Sequence, residues 1–302
     1  MTIPTQHVTV CICTYRRANL LKGLLHDLRN QQTGGLFTYS IIVVDNDAQK
    51  SAESVVAWFR DRKSIPLEYY VVPKQSIALA RNMAVEHAQG EFLVFIDDDE
   101  SPSESWLLTL VEACIKYKAH GVLGPVHPRY EVPPPKWVVN GRFYDRPSYP
   151  TGTIINWQKG RTGNTLLRRE VFKGMDTPFR PEFRTGEDMD FFRRAIEKGY
   201  SFVWCHEAPA YEVVPPVRWS RSFLLKRALL RGYTSRVHPT FGAREIVTSL
   251  VAAPVYSIAL PVALLLGQSI FMSILVRLCD HVGRLLGLVG INPVDQAYVT
   301  TK

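Results

Sequence analysis

Short β-rich apolar runs punctuate the first 126 residues, at Val8–Cys13, Ser40–Asp45, Leu67–Val72, Glu91–Asp97 and Gly121–Val126. Between them lie helix-like stretches over Ala18–Asn30, Ser51–Arg62, Ile77–Gln89 and Glu104–Tyr117. Ser101 or Ser103 is placed to cap the last of these, with Glu104 in its first turn. Strand–helix alternation of this kind predicts an α/β/α sandwich around a mostly parallel central sheet. Ligands of such sheets bind beyond the carboxyl ends of the strands. Two of those ends carry aspartates: Asp45 closes IIVVD, and Asp97-Asp98-Asp99 follows FLVFI.

The alternation breaks between Pro128 and about Gln158, where prolines and aromatics dominate, among them Trp137, Tyr144, Tyr149 and Trp157. A stretch of this length without regular pattern reads as a substrate loop or a structural cover. Regularity resumes at Gly163–Arg169, then with a helix over Glu187–Lys198 stopped by Gly199, and a strand over Tyr200–Cys205. The last part of the chain differs in kind. Ile246 to Val276 is an unbroken run without a charge. As one straight helix it would measure about 46 Å against a hydrocarbon core of ~30 Å. Pro254 and Pro261 interrupt it, which predicts a kinked span or a re-entrant helical pair, with a pair of buried core helices as the alternative.

Charge sharpens this division. The chain has 302 residues and a net charge of +8, yet residues 216–302 carry ten Lys or Arg against three Asp or Glu. The first 215 residues are therefore nearly neutral, and the basic excess coincides with the apolar tail. That placement disfavours nucleic-acid binding, which would call for an exposed basic and aromatic groove. It favours anionic lipid headgroups, to which each basic residue of Arg218–Arg231 would add about 1 kcal/mol. Lys and Arg are denser before the uncharged run than after it, which predicts the cytoplasmic side for what precedes it. Five cysteines with no framework spacing, Cys11 and Cys13 on one strand face, read as reduced thiols and not as zinc ligands. The N-terminal MTIPTQH has no basic, then apolar, export pattern.

The densest chemical signal is Asp97-Asp98-Asp99-Glu100. Adjacent carboxylates repel one another, and a divalent cation with a taste for oxygen ligands resolves the conflict. Asp97 and Asp99, two apart at a strand end, are the natural pair to face one cleft; a solvated acidic turn is the bland alternative. Asp45 is positioned to accept hydrogen bonds from a nucleobase edge or ribose, although Asp45-Asn46-Asp47 is also ordinary turn chemistry. Arg81, on an otherwise apolar helix, is placed to reach a phosphate or to snorkel from a helix face. A second acidic group, Gly186-Glu187-Asp188-Met189-Asp190, opens a helix whose dipole favours it. The functional reading makes one of its carboxylates a general base.

Taken in order, Thr14-Tyr15-Arg16, Asp45, Ala80-Arg81-Asn82, Asp97-x-Asp99 and Gly186-Glu187-Asp188 resemble the family 2 glycosyltransferases with the GT-A fold. The likeness is greatest to the bacterial exopolysaccharide glucosyltransferases of the succinoglycan type, and it spans roughly residues 7–236. It implies a catalytic domain over 1–215, with a nucleotide-sugar half at 1–126 and an acceptor half at 127–215. Residues 216–302 then form membrane-docking helices at the cytoplasmic face. By resemblance, Thr14, Tyr15, Arg16, Asp45, Arg81, Asp97 and Asp98 contact a nucleotide-sugar donor, with UDP the favoured nucleotide. Asp99 holds Mg²⁺ or Mn²⁺ on the diphosphate, and Asp188 is the catalytic base of an inverting transfer. Trp137, Asn164 and Glu187 are expected at the acceptor, a glycan or a polyprenyl-diphosphate-linked saccharide. One departure stands out: where many relatives place a metal-facing His, this chain reads Tyr211-Glu212-Val213-Val214-Pro215. Either Glu212 takes that place or the metal has fewer protein ligands.

Two other readings compete. A sugar-1-phosphate nucleotidyltransferase would carry a Gly-rich basic loop after the first strand, where this chain has Thr14-Tyr15-Arg16-Arg17-Ala18-Asn19. A membrane-bound scaffold with a dead transferase fold would have no need of the acidic residues, which are all present.

Overall fold

The computed structural model describes residues 6–62, 65–183, 185–238 and 240–294. Two compact units divide them. The first takes residues up to 127, 146–181 and 187–213; the second takes 128–145, 182–186 and everything from 214 onward. Residues 128–145, expected in the acceptor half at 127–215, fall in the second unit.

In the first unit the chain runs β1 (Gln6–Thr14), α1 (Ala18–Leu28), β2 (Phe37–Asp45), α2 (Glu53–Arg60), β3 (Leu67–Val71), α3 (Ile77–His87), β4 (Phe92–Phe95), β5 (Glu100–Pro102), α4 (Trp106–Lys116) and β6 (Gly121–Leu123), and β7 (Val126–Arg129) begins in it and ends in the second. After α5 (Lys136–Asn140), in the second unit, come β8 (Thr165–Arg168), α6 (Glu187–Glu197), β9 (Phe202–Trp204) and β10 (Ala210–Val213). Seven strands form the main sheet in the order β3-β2-β1-β4-β8-β6-β9. All of its pairs are parallel except those of β8, which runs antiparallel to both β4 and β6. The expected mostly parallel α/β sandwich is therefore present.

Alternation along β1 explains the layers. Val8, Val10 and Ile12 face one side, where they meet Leu21, Leu25, Trp106 and Leu110 of α1 and α4. Cys11 and Cys13 face the other, against Ala80 and Ala84 of α3 and near Phe191 of α6. Each fully buried large apolar side chain contributes about 1.5–3 kcal/mol, and both layers are made of such residues. The thiols are free, and burial pushes Cys13 up to about 12, which disfavours its thiolate at neutral pH.

Two local expectations are corrected. Ser101 and Ser103 do not cap α4: Ser101 lies in β5 and donates to Asp27 Oδ2 at 2.6 Å. Ser105 holds the cap position without a side-chain bond, and Gln31 supplies the acceptor, its Oε1 taking the Leu107 N–H at 3.1 Å. β4 stops at Phe95, short of Asp97, because the acidic run folds on itself. The Glu100 N–H reaches Asp97 O at 3.1 Å and the Asp97 N–H reaches Glu100 Oε2 at 3.2 Å. The chain then leaves as β5, which pairs antiparallel with β10 and sets Glu100 opposite Glu212.

The second unit holds α7 (Arg221–Ser235), α8 (Ala243–Leu266) and α9 (Gln268–Leu288). The uncharged run is not one rod: Gly267, at φ +118°, separates α8 from α9. Both prolines lie inside α8, which stays helical through them over about 36 Å. α7 and α9 pack backbone to backbone, and a Cβ on Gly232 would lie 2.0 Å from the Asp280 carbonyl. An apolar cluster of Val138, Tyr144, Val214, Trp219, Leu224 and Met272 joins α5 to this helical group. Among the described residues one helix, α8, is long and apolar enough to cross a membrane, with mean hydropathy 2.1.

Candidate active site

The site grows from the carboxyl edge of the main sheet. β1 ends at Thr14, and its hydroxyl donates to Asp98 Oδ2 at 2.8 Å. Arg17, at the start of α1, donates to Asp98 Oδ1 at 3.0 Å and to Asp99 Oδ2 at 3.1 Å. The loop after the first strand and the acidic turn after the fourth are thereby tied together, as the parallel pairing of β1 with β4 requires. Arg16 sits at φ +54°, its N–H on Ser51 Oγ (3.1 Å) and its Nε on Asp47 Oδ2 (3.0 Å). Its guanidinium lies over the Tyr15 ring.

Asp45 closes β2 as expected, but its carboxylate is enclosed. Oδ2 accepts from the Ala52 N–H at 2.7 Å and the Tyr69 hydroxyl at 2.9 Å, and Oδ1 from the Asp47 N–H at 3.1 Å. In this arrangement Asp45 builds the floor of the loop that carries Asp47. Asn46 does similar work for α3: its amide bonds the carbonyls of Val72 and Lys74 and accepts the Ser76 N–H at 2.7 Å. Ser76 caps α3, fixing the turn of helix that carries Arg81.

Arg81 is the bridge between the two acidic groups. Its Nη1 pairs with Glu187 Oε1 at the start of α6, and its Nη2 lies 3.9 Å from Asp97 Oδ1. Glu187 is buried, and burial, opposed by Arg81 and reinforced by Asp188, pushes its carboxyl up to about 7. Asp188, one residue on, is only partly buried and its Oδ1 accepts the Met189 N–H at 2.8 Å, which orients the carboxylate on the helix end. Asp190 turns away to Arg193 and Arg194 and is structural. Thus Asp97 and Asp188 share one arginine's surroundings, with Glu187 as the anchor between them.

Burial also pushes Asp98 up to about 7, against Arg17, and Glu100 well above the carboxylate range, with Asp97 reinforcing it. Glu100 Oε1 is buried without a hydrogen-bond partner, and Gly163 packs so close that a Cβ there would lie 2.9 Å from it. On the neighbouring strand Arg146 pairs with Glu212 Oε2. A guanidinium therefore stands at the point where a metal-facing His was the family expectation. His206 lies on the surface against Ser148 Oγ at 3.0 Å.

Among the described residues no group of three or more His, Cys, Asp or Glu side chains is arranged to hold a metal ion. The donor chemistry at the acidic turn nevertheless fits a hard divalent cation. Asp97 and Asp99 offer carboxylate oxygens, Glu100 adds one with no partner, and the carboxyls here outnumber Arg17, Arg81 and Arg146. Asp97 and Asp99 would supply protein oxygens to a cation and leave its remaining positions open.

One acceptor expectation, Asn164, lies in the interior. Asn164 is fully buried at φ +53°; its Oδ1 takes the Trp106 indole N–H at 2.7 Å and its Nδ2 bonds the carbonyls of Pro125 and Ala208 at 2.9 and 2.8 Å. With every polar atom used internally, it fastens three loops and presents nothing to an acceptor. Trp137 belongs to the second unit, on α5, edge-on to Phe143 at 5.5 Å. Residues passed over in the sequence now stand at the site: Arg17, Arg146 and Arg161. Arg17 had a signal in the Arg16-Arg17 doublet, whereas Arg146 and Arg161 stand in an aperiodic stretch.

A model of the family described as glycosyl transferase family 2 matches residues 9–176, more than half the chain. The succinoglycan biosynthesis protein ExoM of Rhizobium meliloti (strain 1021) is 31% identical over 304 residues, 97% of this chain and 96% of its own. Among solved structures, the mannosyltransferase PcManGT from Pyrobaculum calidifontis, in complex with GDP-Man and Mn²⁺, aligns with a TM-score of 0.61 at 17% identity. That alignment covers 92% of this chain and 86% of its own. The 1–349 segment of S. aureus TarS, in complex with UDP, aligns at 0.55 and 14% identity, over 94% of this chain and 92% of its own. The solved structures bear out the GT-A fold, and the sequence matches go further: this chain belongs to glycosyl transferase family 2.

Proposed function

We propose that this glycosyltransferase moves a sugar, with inversion, from a nucleoside-diphosphate donor to a hydroxyl of a glycan or lipid-linked acceptor in exopolysaccharide assembly. The observation that carries the reading is the Arg81 bridge, which sets the acidic turn and the Glu187-Asp188 pair around one cation. The nucleotide would lie over Thr14–Arg16 and the Asp45–Asp47 turn, at the carboxyl edge that such sheets offer to ligands. UDP is favoured by the family likeness, although the solved relatives include both UDP and GDP complexes.

Asp188 is the base in this reading. It takes the acceptor hydroxyl's proton as that oxygen attacks the anomeric carbon, and the departing diphosphate leaves on the opposite face. Glu187 stays on Arg81 and fixes the turn that aims Asp188. Asp97 and Asp99 would hold Mg²⁺ or Mn²⁺, which supplies charge neutralisation for the leaving diphosphate when bound. Burial raises the Glu100 carboxyl, which lessens the negative charge this turn carries. Association with the cytoplasmic membrane face falls to α8, whose Val251, Ile258 and Leu265 are largely exposed, preceded by the basic helix α7.

The test is turnover of a panel of UDP- and GDP-sugars by the full-length protein with Mn²⁺ or Mg²⁺, with and without membrane extract as acceptor source. Donor consumption that rises with extract supports transfer. Release of pyrophosphate from a nucleoside triphosphate and a sugar phosphate would instead favour a nucleotidyltransferase.

A further inference from the structure

The segment Gly160-Arg161-Thr162-Gly163 spans the two halves of the site. At one end the Gly160 backbone lies on Phe192 of α6, where a Cβ would meet Cδ2 at 2.4 Å. At the other, a Cβ on Gly163 would lie 2.9 Å from Glu100 Oε1 and 3.1 Å from Asp97 Oδ2. The Thr165 hydroxyl fixes the segment from behind by donating to the Arg161 carbonyl at 2.6 Å. Arg161 is therefore strung between the acidic turn and the helix that begins with Glu187 and Asp188.

Its side chain makes no hydrogen bond or ion pair with any other described residue. It is half-buried, and its strongest charged neighbour is Arg146, a like charge; Asp188, Tyr149 and Glu100 offset this only in part. Burial and Arg146 together lower its pKa, and an incoming anion would raise it again. Arg146 is already committed to Glu212. Thr162, beside Arg161, is fully buried with a hydroxyl that has no partner, a second polar group in this segment left unsatisfied. Two guanidiniums whose charges oppose one another, one of them without a contacting counter-charge, suit an anion with several oxygens, because a guanidinium fork binds phosphoryl oxygens in pairs.

Resting on the transferase reading above, we propose that Arg161, with Arg146 beside it, is the receptor for a diphosphate oxyanion on the Asp188 side of the site. The receptor takes the diphosphate of the nucleotide donor or that of a lipid-linked acceptor; the two share the same chemistry. Arg161 thus contributes to binding and to the orientation of the group, not to proton transfer.

The test is isothermal titration of the full-length protein in detergent, in EDTA so that no metal contributes. UDP, GDP, UMP, GMP and geranyl diphosphate are the probes. R161A should weaken the nucleoside diphosphate that the wild type binds by about ten-fold or more, and the matching monophosphate by less than about three-fold. R161K should recover part of the loss, and R161Q replaces alanine should that variant fail to fold. A loss confined to geranyl diphosphate would assign the receptor to the acceptor. Diphosphate affinities all within about two-fold of wild type, or equal losses for di- and monophosphate, would overturn the proposal. Wild-type protein that binds neither UDP nor GDP even with Mn²⁺ restored would remove the UDP or GDP donor reading, a different result from a silent R161A.

Discussion

Arg81 holds Glu187 with one nitrogen of its guanidinium and stands 3.9 Å from Asp97 with another. One side chain from α3 thus sets the distance between the acidic turn and the start of α6. Removing it leaves Glu187 buried beside Asp188 with no counter-charge. R81A should therefore cost about 3–5 kcal/mol of folding stability and lower turnover by at least ~100-fold. R81K keeps the charge but not the fork, and should recover stability better than turnover. Denaturant titration and steady-state kinetics on both variants check this; R81A with near-normal turnover would contradict the bridge.

Glu187 makes the fold pH-sensitive. Its carboxyl is pushed up to about 7 in the folded chain, whereas the unfolded chain releases that proton near the ordinary 4.5. Between those values the folded form holds more protons, so stability falls as pH rises through the window. E187Q has no such proton to lose. Wild type should lose stability relative to E187Q by the order of 2 kcal/mol between pH 4.5 and 7.5. Urea unfolding at several pH values measures it, and parallel curves would contradict the burial argument.

Asn164 separates structure from chemistry. It feeds the Trp106 indole and two carbonyls in a fully buried position. N164A should destabilise by about 2–4 kcal/mol through unsatisfied partners and the positive φ, with KM for the acceptor unchanged. A raised acceptor KM without loss of stability would return Asn164 to the acceptor site.

The membrane assignment rests on α8. Val251 and Ile258 are 61% and 77% exposed. V251D combined with I258D should move the full-length protein out of the membrane fraction, and V251L with I258L should not. Membrane retention by the double Asp variant would contradict anchoring through this helix. Each buried charge at mid-bilayer costs ~2.5–3.5 kcal/mol, enough to decide the partition.

The alternating pattern made the parallel sheet legible, because β1, β2 and β4 are apolar runs whose ends carry the aspartates. It did not reveal β5: three residues after an acidic turn carry no periodicity, and the pairing with β10 is set by a strand about 110 residues away. The acidic groups at Asp97–Asp99 and Glu187-Asp188 were legible as chemistry, because buried neighbouring carboxylates require a compensating charge. Which arginines supply it was not, since Arg146 and Arg161 sit in an aperiodic stretch and reach the site through tertiary packing. Asn164 shows the converse. A polar residue expected at the acceptor by resemblance reads as a ligand contact until the packing around Trp106 shows where its hydrogen bonds go.

The uncharged run was legible as a membrane candidate and a helical pair was among its readings, but the interruption was expected at the prolines. Gly267 is a small signal in a long apolar stretch, and only its positive φ marks the break. Both prolines, the louder signal, stay within α8. Their missing N–H donors weaken the ladder without ending it.

Metal dependence offers an independent check on the acidic turn. D99A should weaken nucleotide binding in the presence of Mn²⁺ by about ten-fold or more and have little effect in EDTA. Titration calorimetry with and without the ion reads this. Equal losses under both conditions would assign Asp99 to holding Arg17 alone.

The most direct test is D188N. Single-turnover transfer should fall below detection, or by at least ~10⁴-fold, while affinity for the donor nucleotide stays within about two-fold of wild type. Transfer by D188N at the wild-type rate would show that another group accepts the acceptor's proton, and the account of Asp188 as base would be wrong.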